Sequence, residues 1–156
     1  MKLSIVCMGR TREEFIREGI EKYLRYLKPY VQAELKILRE EKVEDLRDAP
    51  RARKLEAAKI AKALTPGAHV VALDERGREF TSHEFAAFMD KALEKGIREM
   101  SFVLGGAMGL DEAVTGRADT VLALSRWTLT HEMARLVLLE QLYRAFTIIK
   151  GKIYHY

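Results

Sequence analysis

The chain has 156 residues, 48% hydrophobic and 32% charged, and its 27 Lys and Arg against 23 Asp and Glu give a net charge of +4. This length and composition support one folded domain over residues 1–156 and exclude a disordered protein. The single cysteine, Cys7, excludes a disulfide framework and a cysteine-rich zinc site. Apolar runs are too short for a membrane span or a signal peptide, so we expect a cytoplasmic protein.

The first half of the chain alternates between apolar runs and segments of helical periodicity. Short apolar or alternating runs predict strands, whereas apolar residues three and four apart predict one face of a helix. Thr11, with Glu14 three residues later, is a candidate capping box for the first helix, and Pro50 lies in a charged loop before the second. In chain order, we predict a strand over 2–8, a helix over 12–27, a strand over 31–38 and a helix over 54–64.

The second half continues the same alternation. A β-branched run predicts a strand that ends in a turn at 74–77, and Thr81 or Ser82 is a candidate cap for the helix that follows. Thr128 or Thr130 is expected to begin the last helix. The predicted elements are strands 69–73, 100–104 and 119–124, and helices reaching to residue 97, over 111–115 and to about residue 146. The whole pattern predicts an α/β fold, a mainly parallel sheet with helices on both faces.

A glycine-rich loop, GGAMGL, follows the predicted strand 100–104. It lacks the Lys-Ser/Thr of a phosphate-binding loop and the glycine spacing of a dinucleotide-binding motif. Ligands of open α/β sheets bind beyond the carboxyl ends of the strands. The loops after Leu73, Leu104 and Leu124 are therefore candidate ligand-binding loops. A tight turn without a ligand is the alternative for the glycines.

The last of these loops contains the only tryptophan, Trp127, which at a junction of strand and helix is usually a core residue. His131 and Arg135 are four residues apart, so they share one face of the following helix. The four histidines show no metal-ligand spacing, and no nucleophile elbow surrounds Ser125. Cys7 lies in an apolar strand. We therefore expect neither a metal site nor a nucleophilic residue.

The C-terminal helix, MARLVLLEQLYRAF, is apolar on more than one side. One side is expected to pack on the sheet, and the other needs a further surface. A homodimer would provide that surface, and a larger core within the chain is the alternative. The final segment, KGKIYHY, mixes cations with aromatic rings, which suits a polyanionic partner or a solvated basic end.

Four segments together resemble the RlmH family of small SPOUT-class methyltransferases: KLSIVCMGR, FVLGGAMGL, LSRWTLTHEMAR and LLEQLYRAFTIIKGKIYHY. The resemblance runs end to end and is most specific in the second half. It implies a single SPOUT domain with a C-terminal trefoil knot, and a homodimer. It also implies transfer of a methyl group from S-adenosylmethionine to N3 of a pseudouridine in 23S ribosomal RNA. The implied partner is this RNA in the ribosome or its large subunit, with no membrane and no DNA.

The resemblance implies that the methyl donor binds among the strand-end loops. Its candidate binding residues are Leu73, Gly105, Gly106, Leu124, Ser125, Arg126, Trp127, Thr128 and Leu129. Removal of the N3 proton needs a base or a cation that stabilises the developing anion. The candidate catalytic residues are His131, Arg135, Tyr154 and His155, in no order.

Thr130 stands where members of this family often have proline, so it is available to cap the last helix. Two alternative functions stay open. One is another SPOUT RNA methyltransferase that modifies ribose 2′-O or a tRNA base. The other is a non-catalytic, dimeric ribosome-binding module in which the glycine loop is only a turn.

Overall fold

The computed structural model describes residues 1–152, which form a five-stranded sheet flanked by helices. The strands are β1 (Lys2–Met8), β2 (Gln32–Leu38), β3 (His69–Glu79), β4 (Glu99–Leu104) and β5 (Thr120–Ala123). The helices are α1 (Glu14–Leu27), α2 (Ala49–Ala63), α3 (Ser82–Glu94), α4 (Glu112–Thr115) and α5 (His131–Ile149), with a 3₁₀ turn at Leu46–Asp48. The predicted alternation of strands and helices is confirmed.

All neighbouring strands pair in parallel, in the order β2-β1-β4-β3-β5. Helices α1, α3 and α5 cover one face of the sheet around Leu3, Phe102 and Leu138. Helices α2 and α4 cover the other face around Ile60 and Val103. The predicted α/β architecture with helices on both faces is therefore confirmed. Because all strands are parallel, the loops that follow them lie on the same side of the sheet, beyond the carboxyl ends of the strands.

Two predicted boundaries differ from the structure by five residues or more. Helix α2 begins at Ala49, five residues earlier than predicted, because Pro50 occupies its first turn, where a missing N–H leaves no hydrogen bond unmade. Strand β3 continues through the turn predicted at 74–77 and ends at Glu79. Its pairing with β5 shifts there, so that Leu73 and Arg78 both lie opposite Leu122.

Gly77 makes this irregular pairing possible. A Cβ atom at Gly77 would lie 2.7 Å from the carbonyl carbons of both Val121 and Leu122, closer than such atoms approach. Only a residue without a side chain lets the backbone of β3 pass β5 at this distance. The extension of β3 is therefore a property of the paired backbones, which local strand propensity does not reveal.

Of the helix caps predicted from the sequence, those at Thr130 and Thr81 are confirmed and the one at Thr11 is not. Thr130 caps α5 as expected, because its Oγ1 accepts the backbone N–H of Met133 at 3.2 Å. Thr81 likewise caps α3 in a capping box with Glu84. The capping box predicted at Thr11 is wrong. Its hydroxyl oxygen instead accepts a hydrogen bond from Arg135, which lies 124 residues away in the chain.

Helix α5 lies between α1 and α3 and packs on both. Part of its second apolar side is therefore covered within the chain, as the alternative of a larger core predicted. Leu136, Val137 and Tyr143 nevertheless stay partly exposed. Over residues 1–152, no helix combines the length and apolarity that crossing a membrane requires.

Candidate functional site

A cavity of about 1090 Å³ lies beside residues 73–76 within β3 and beyond the carboxyl ends of β4 and β5. Its lining comes from the segments 73–76, 104–112 and 127–131, with further residues from the start of α2. Small-molecule sites have volumes of this order and occur at this edge of parallel sheets. The candidate loops after Leu104 and Leu124 thus meet around one cavity with residues 73–76, which the structure places within β3 rather than in a loop.

Eight of the nine predicted cofactor-binding residues line this cavity: Leu73, Gly105, Gly106, Leu124, Ser125, Trp127, Thr128 and Leu129. Arg126 does not. Its side chain is exposed, and its Nε donates to the two carboxylate oxygens of Glu79 at 3.1 and 3.3 Å. Arg126 therefore ties the loop after β5 to the end of β3.

The glycine loop presents backbone to the cavity. The N–H of Gly109 donates to the carbonyl of Gly106 at 3.0 Å, which closes a tight turn. A Cβ atom at Gly105 would lie 2.6 Å from the carbonyl carbon of Gly109, so a side chain there would open the turn. A wall of backbone groups beside leucine side chains fits a ligand that is flat and apolar with polar edges, as the nucleoside of S-adenosylmethionine is.

The loop after β5 is held by its own hydrogen bonds. The N–H of Trp127 donates to the hydroxyl oxygen of Ser125 at 2.9 Å, and the hydroxyl of Thr128 donates to Glu75 at 3.3 Å. The Trp127 side chain is 83% exposed, so its interpretation as a core residue is wrong. The turn at Ser125 carries the indole to the outer surface before the chain enters α5.

His131 lines the cavity as the first residue of α5. Burial, and secondarily the charge of Arg135, lowers the pKa of His131, although Glu132 and Glu40 act in the opposite direction. Its Nε2 lies 4.0 Å from a carboxylate oxygen of Glu132. The imidazole is therefore neutral at pH 7 and available as a proton acceptor.

Arg135 is fully buried and does not line the cavity. Its guanidinium donates to the carbonyl of Met8 and, at 3.0 Å, to the hydroxyl of Thr11. Its Nε has no hydrogen-bond partner within residues 1–152. Arg135 thus fastens α5 to the end of β1. The predictions for Tyr154 and His155 concern residues outside the described part of the chain.

Besides Arg76, which pairs with Asp74, two cations that were not predicted line the cavity, Arg53 and Lys54 of α2. Arg53 lies in the segment predicted as a charged loop and Lys54 begins the predicted helix, so no local pattern marks either residue as part of a site. Cys7 is fully buried, and burial raises the pKa of its thiol to about 12, so it is not a nucleophile at neutral pH.

Comparisons with known proteins agree with this geometry. Residues 1–155 match the family described as "Predicted SPOUT methyltransferase". A relative from Geobacter metallireducens, named "Ribosomal RNA large subunit methyltransferase H", is 46% identical over 156 residues, covering 100% of this chain and 99% of the relative. A relative of the same name from Symbiobacterium thermophilum is 40% identical, with 99% of each chain covered.

Solved structures show the same fold at low sequence identity. A probable methyltransferase from Bordetella pertussis aligns with a TM-score of 0.58 and 16% identity, covering 93% of this chain and 96% of that one. A probable methylase family protein from Haemophilus influenzae aligns with a TM-score of 0.59 and 18% identity, covering 99% and 70%. By the match over its length and by its full-length relatives, this chain belongs to the SPOUT methyltransferase family.

Proposed function

We propose that this protein transfers a methyl group from S-adenosylmethionine to N3 of a pseudouridine in the 23S ribosomal RNA of the large subunit, in the cytoplasm. The observation that carries the proposal is the cavity formed by residues 73–76 of β3 and the loops after β4 and β5, in a chain whose full-length relatives are named large-subunit RNA methyltransferases. The choice of N3 of pseudouridine as the methylated atom rests on the resemblance to the RlmH family. On the same resemblance, we propose that the C-terminal part of the chain forms a trefoil knot.

The donor would bind against residues 73–76 of β3 and the loops after β4 and β5. Leu73, Leu124 and Leu129 offer apolar surface for a nucleoside, and the backbone of Gly105 and Thr128 offers polar groups for its edges. Trp127 and Arg126 contribute through the backbone of the same loop. When bound, the donor supplies a methyl group on a sulfonium, which is already a good leaving group. The residues of the chain then have mainly to align carbon with nitrogen.

His131 is the proposed general base. The N3–H of pseudouridine is weakly acidic, and the neutral imidazole of His131 accepts this proton as the new N–C bond forms. Arg135 is a positioning residue, because its guanidinium is buried one helical turn from His131 and holds α5 against β1. Tyr154 and His155 remain candidate catalytic residues on the resemblance alone.

We also propose that the protein is a homodimer. The tyrosines of α1 and α5 form one aromatic surface, in which the rings of Tyr26 and Tyr143 lie 5.4 Å apart and Tyr26 is 40% exposed. Leu136 and Val137 of α5 are also partly exposed. A second copy would bury this surface, which is larger than a scattered single apolar residue. Light scattering coupled to gel filtration tests the proposal, and a monomer at high concentration would contradict it.

One experiment separates this function from its alternatives. Purified protein is incubated with labelled S-adenosylmethionine and large subunits from a strain that lacks the modification, and the methylated nucleoside is identified by mass spectrometry. We expect N3-methylpseudouridine in 23S RNA. A 2′-O-methylated ribose or a methylated tRNA base would assign a different SPOUT activity. No transfer, together with no saturable heat on calorimetric titration with the donor, would leave a non-catalytic binding module.

A further inference from the structure

Trp127 stands at the rim of the cavity with its indole in solvent. It is the only tryptophan of the chain, and its side chain is 83% exposed although it also lines the cavity. Over residues 1–152, no ring or cation packs on the indole. Tryptophan is on average a highly buried residue, and an exposed one next to a cavity is characteristic of a contact surface.

The backbone that carries the indole is held on both sides. Arg126 pairs with Glu79, and Thr128 donates to Glu75, so the two neighbours of Trp127 are tied to β3. The N–H of Trp127 itself is bound by Ser125. The indole is therefore presented from a fixed loop, and a ligand that stacks on it need not first order the backbone.

The start of α2 contributes positive charge to the lining of the same cavity, which also holds the carboxylates of Asp74, Glu75, Asp111 and Glu112. Arg53 and Lys54 of α2 line the cavity, and neither forms an ion pair with a residue of the described chain. An exposed aromatic ring and cations without ion-pair partners in one cavity are a combination by which proteins bind single-stranded nucleic acid, with bases on the rings and phosphates on the cations.

From this arrangement we infer that Trp127 is the stacking platform for a nucleobase of the substrate RNA, and that Arg53 and Lys54 bind its phosphates in the same cavity. The inference rests on the proposed function and adds how the RNA strand is held over the donor. Bases stack on an aromatic ring whatever their identity, so Trp127 fixes the position of the strand. The cavity, and not Trp127, would then select the nucleotide that reacts.

The test is the kinetics of methyl transfer to unmodified large subunits for Trp127→Leu and Trp127→Phe. Leucine keeps an apolar side chain but lacks a π face, and we expect the KM for the subunit to rise by roughly 5- to 100-fold. Phenylalanine keeps a smaller ring, so its KM should lie between those of the wild type and Trp127→Leu. The calorimetric Kd for S-adenosylmethionine is measured for the same variants, and a rise in this Kd equal to the rise in KM would place the indole on the donor and overturn the inference.

The cations are tested with Arg53→Ala/Lys54→Ala and with Lys62→Ala as the matched control. Lys62 is an exposed residue about two turns further along α2 and does not line the cavity. The double variant should raise KM and flatten its dependence on salt concentration, since each phosphate contact releases a counterion. Lys62→Ala should leave both KM and the salt dependence close to the wild type.

The single tryptophan also gives a direct optical signal. Its fluorescence should remain that of an exposed indole when S-adenosylmethionine is added alone and when the protein is concentrated. Strong quenching by the donor alone would place the indole on the donor, and a blue shift with concentration would place it in a dimer interface; either result overturns the inference. Normal transfer by the wild type with an unchanged KM for Trp127→Leu would overturn it while the proposed function stands. If the wild type transfers no methyl group to RNA, the proposed function fails and the inference fails with it.

Discussion

The carboxylate of Glu132, in the first turn of α5, accepts the backbone N–H of Arg12 at 2.9 Å, across 120 residues of sequence. The same oxygen accepts the N–H of Glu13 at 3.0 Å. These are backbone groups at the start of α1, where donors lack partners within the helix. Arg135, one turn further along α5, donates hydrogen bonds to Met8 at the end of β1 and to Thr11 in the loop that follows. Two side chains of α5 thus hold the loop between β1 and α1 beside His131.

Glu132→Gln should lower the free energy of unfolding by about 1–2 kcal/mol, because an amide oxygen accepts these hydrogen bonds less strongly than a carboxylate. Urea denaturation monitored by circular dichroism measures the change. Glu14→Gln is the control, since Glu14 is exposed in the same region, and it should change stability by less than about 0.5 kcal/mol. Equal midpoints for wild type and Glu132→Gln would show that the carboxylate does not stabilise this connection.

The same carboxylate makes stability depend on pH. Burial raises the pKa of Glu132, but the backbone hydrogen bonds from Glu13 and Arg12 and the nearby cations outweigh it, so the net pKa is lowered. A carboxylate with a lowered native pKa stabilises fully above its ordinary value near 4.5 and loses this contribution as pH falls through the native value. Wild type should therefore lose more stability than Glu132→Gln between pH 5 and the acid limit of roughly pH 3. Parallel pH profiles would contradict this assignment.

Arg135→Met should destabilise the protein by roughly 3 kcal/mol, because it leaves the buried carbonyl of Met8 without its donor. Thr11→Val removes one hydrogen bond of the same guanidinium and should cost about 1 kcal/mol. Thermal unfolding measures both. If Arg135 instead acted on the substrate, Arg135→Met would abolish methyl transfer at full stability, and the positioning role would be wrong.

His131 should titrate below its ordinary pKa of 6.5, since burial and the charge of Arg135 both disfavour its protonated form. Over the interval between the native pKa and 6.5, the unfolded chain binds more protons, so the free energy of unfolding rises with pH there. Methyl transfer should likewise persist to pH values below 6.5 and fall only as His131 protonates. Imidazole NMR resonances, assigned with His131→Gln, measure the midpoint. A midpoint at or above 6.5 contradicts the prediction.

Gly77→Ala should destabilise the protein by about 1–3 kcal/mol, because the added methyl group would lie 2.7 Å from backbone carbons of Val121 and Leu122. The consequences should extend to the donor, since the displaced segment includes Asp74 and Glu75 of the cavity lining. Gly67→Ala is a poor control because Gly67 has a positive φ of 78°. Gly116→Ala is the better one, as its Cβ would meet one carbonyl oxygen at 3.0 Å in an exposed turn. Stability measured by denaturation should separate the two variants.

Local patterns in the sequence were sufficient for the order of elements, the parallel sheet and the caps at Thr81 and Thr130, because each depends on residues within a few positions of one another. They also located two loops that line the cavity, after Leu104 and Leu124, since parallel strands bring their carboxyl ends to one side of the sheet, whereas the third predicted loop is part of β3. The resemblance to the family was inferred from four sequence segments, spread over the whole chain, taken together. Eight of the nine predicted donor-binding residues accordingly meet around one cavity.

Only the tertiary structure decided which partner each polar group takes. Thr11 and Glu132 are neighbours of helix starts in sequence, yet their contacts are with residues more than 100 positions away. Arg135 and His131 share a helix face in sequence, but packing buries the first and leaves the second in the cavity. The exposure of Trp127 likewise follows from tertiary contacts, because its neighbours Arg126 and Thr128 are bound to Glu79 and Glu75 of β3. Periodicity records the spacing of residues along the chain, whereas burial and hydrogen bonding depend on which distant segments are packed together.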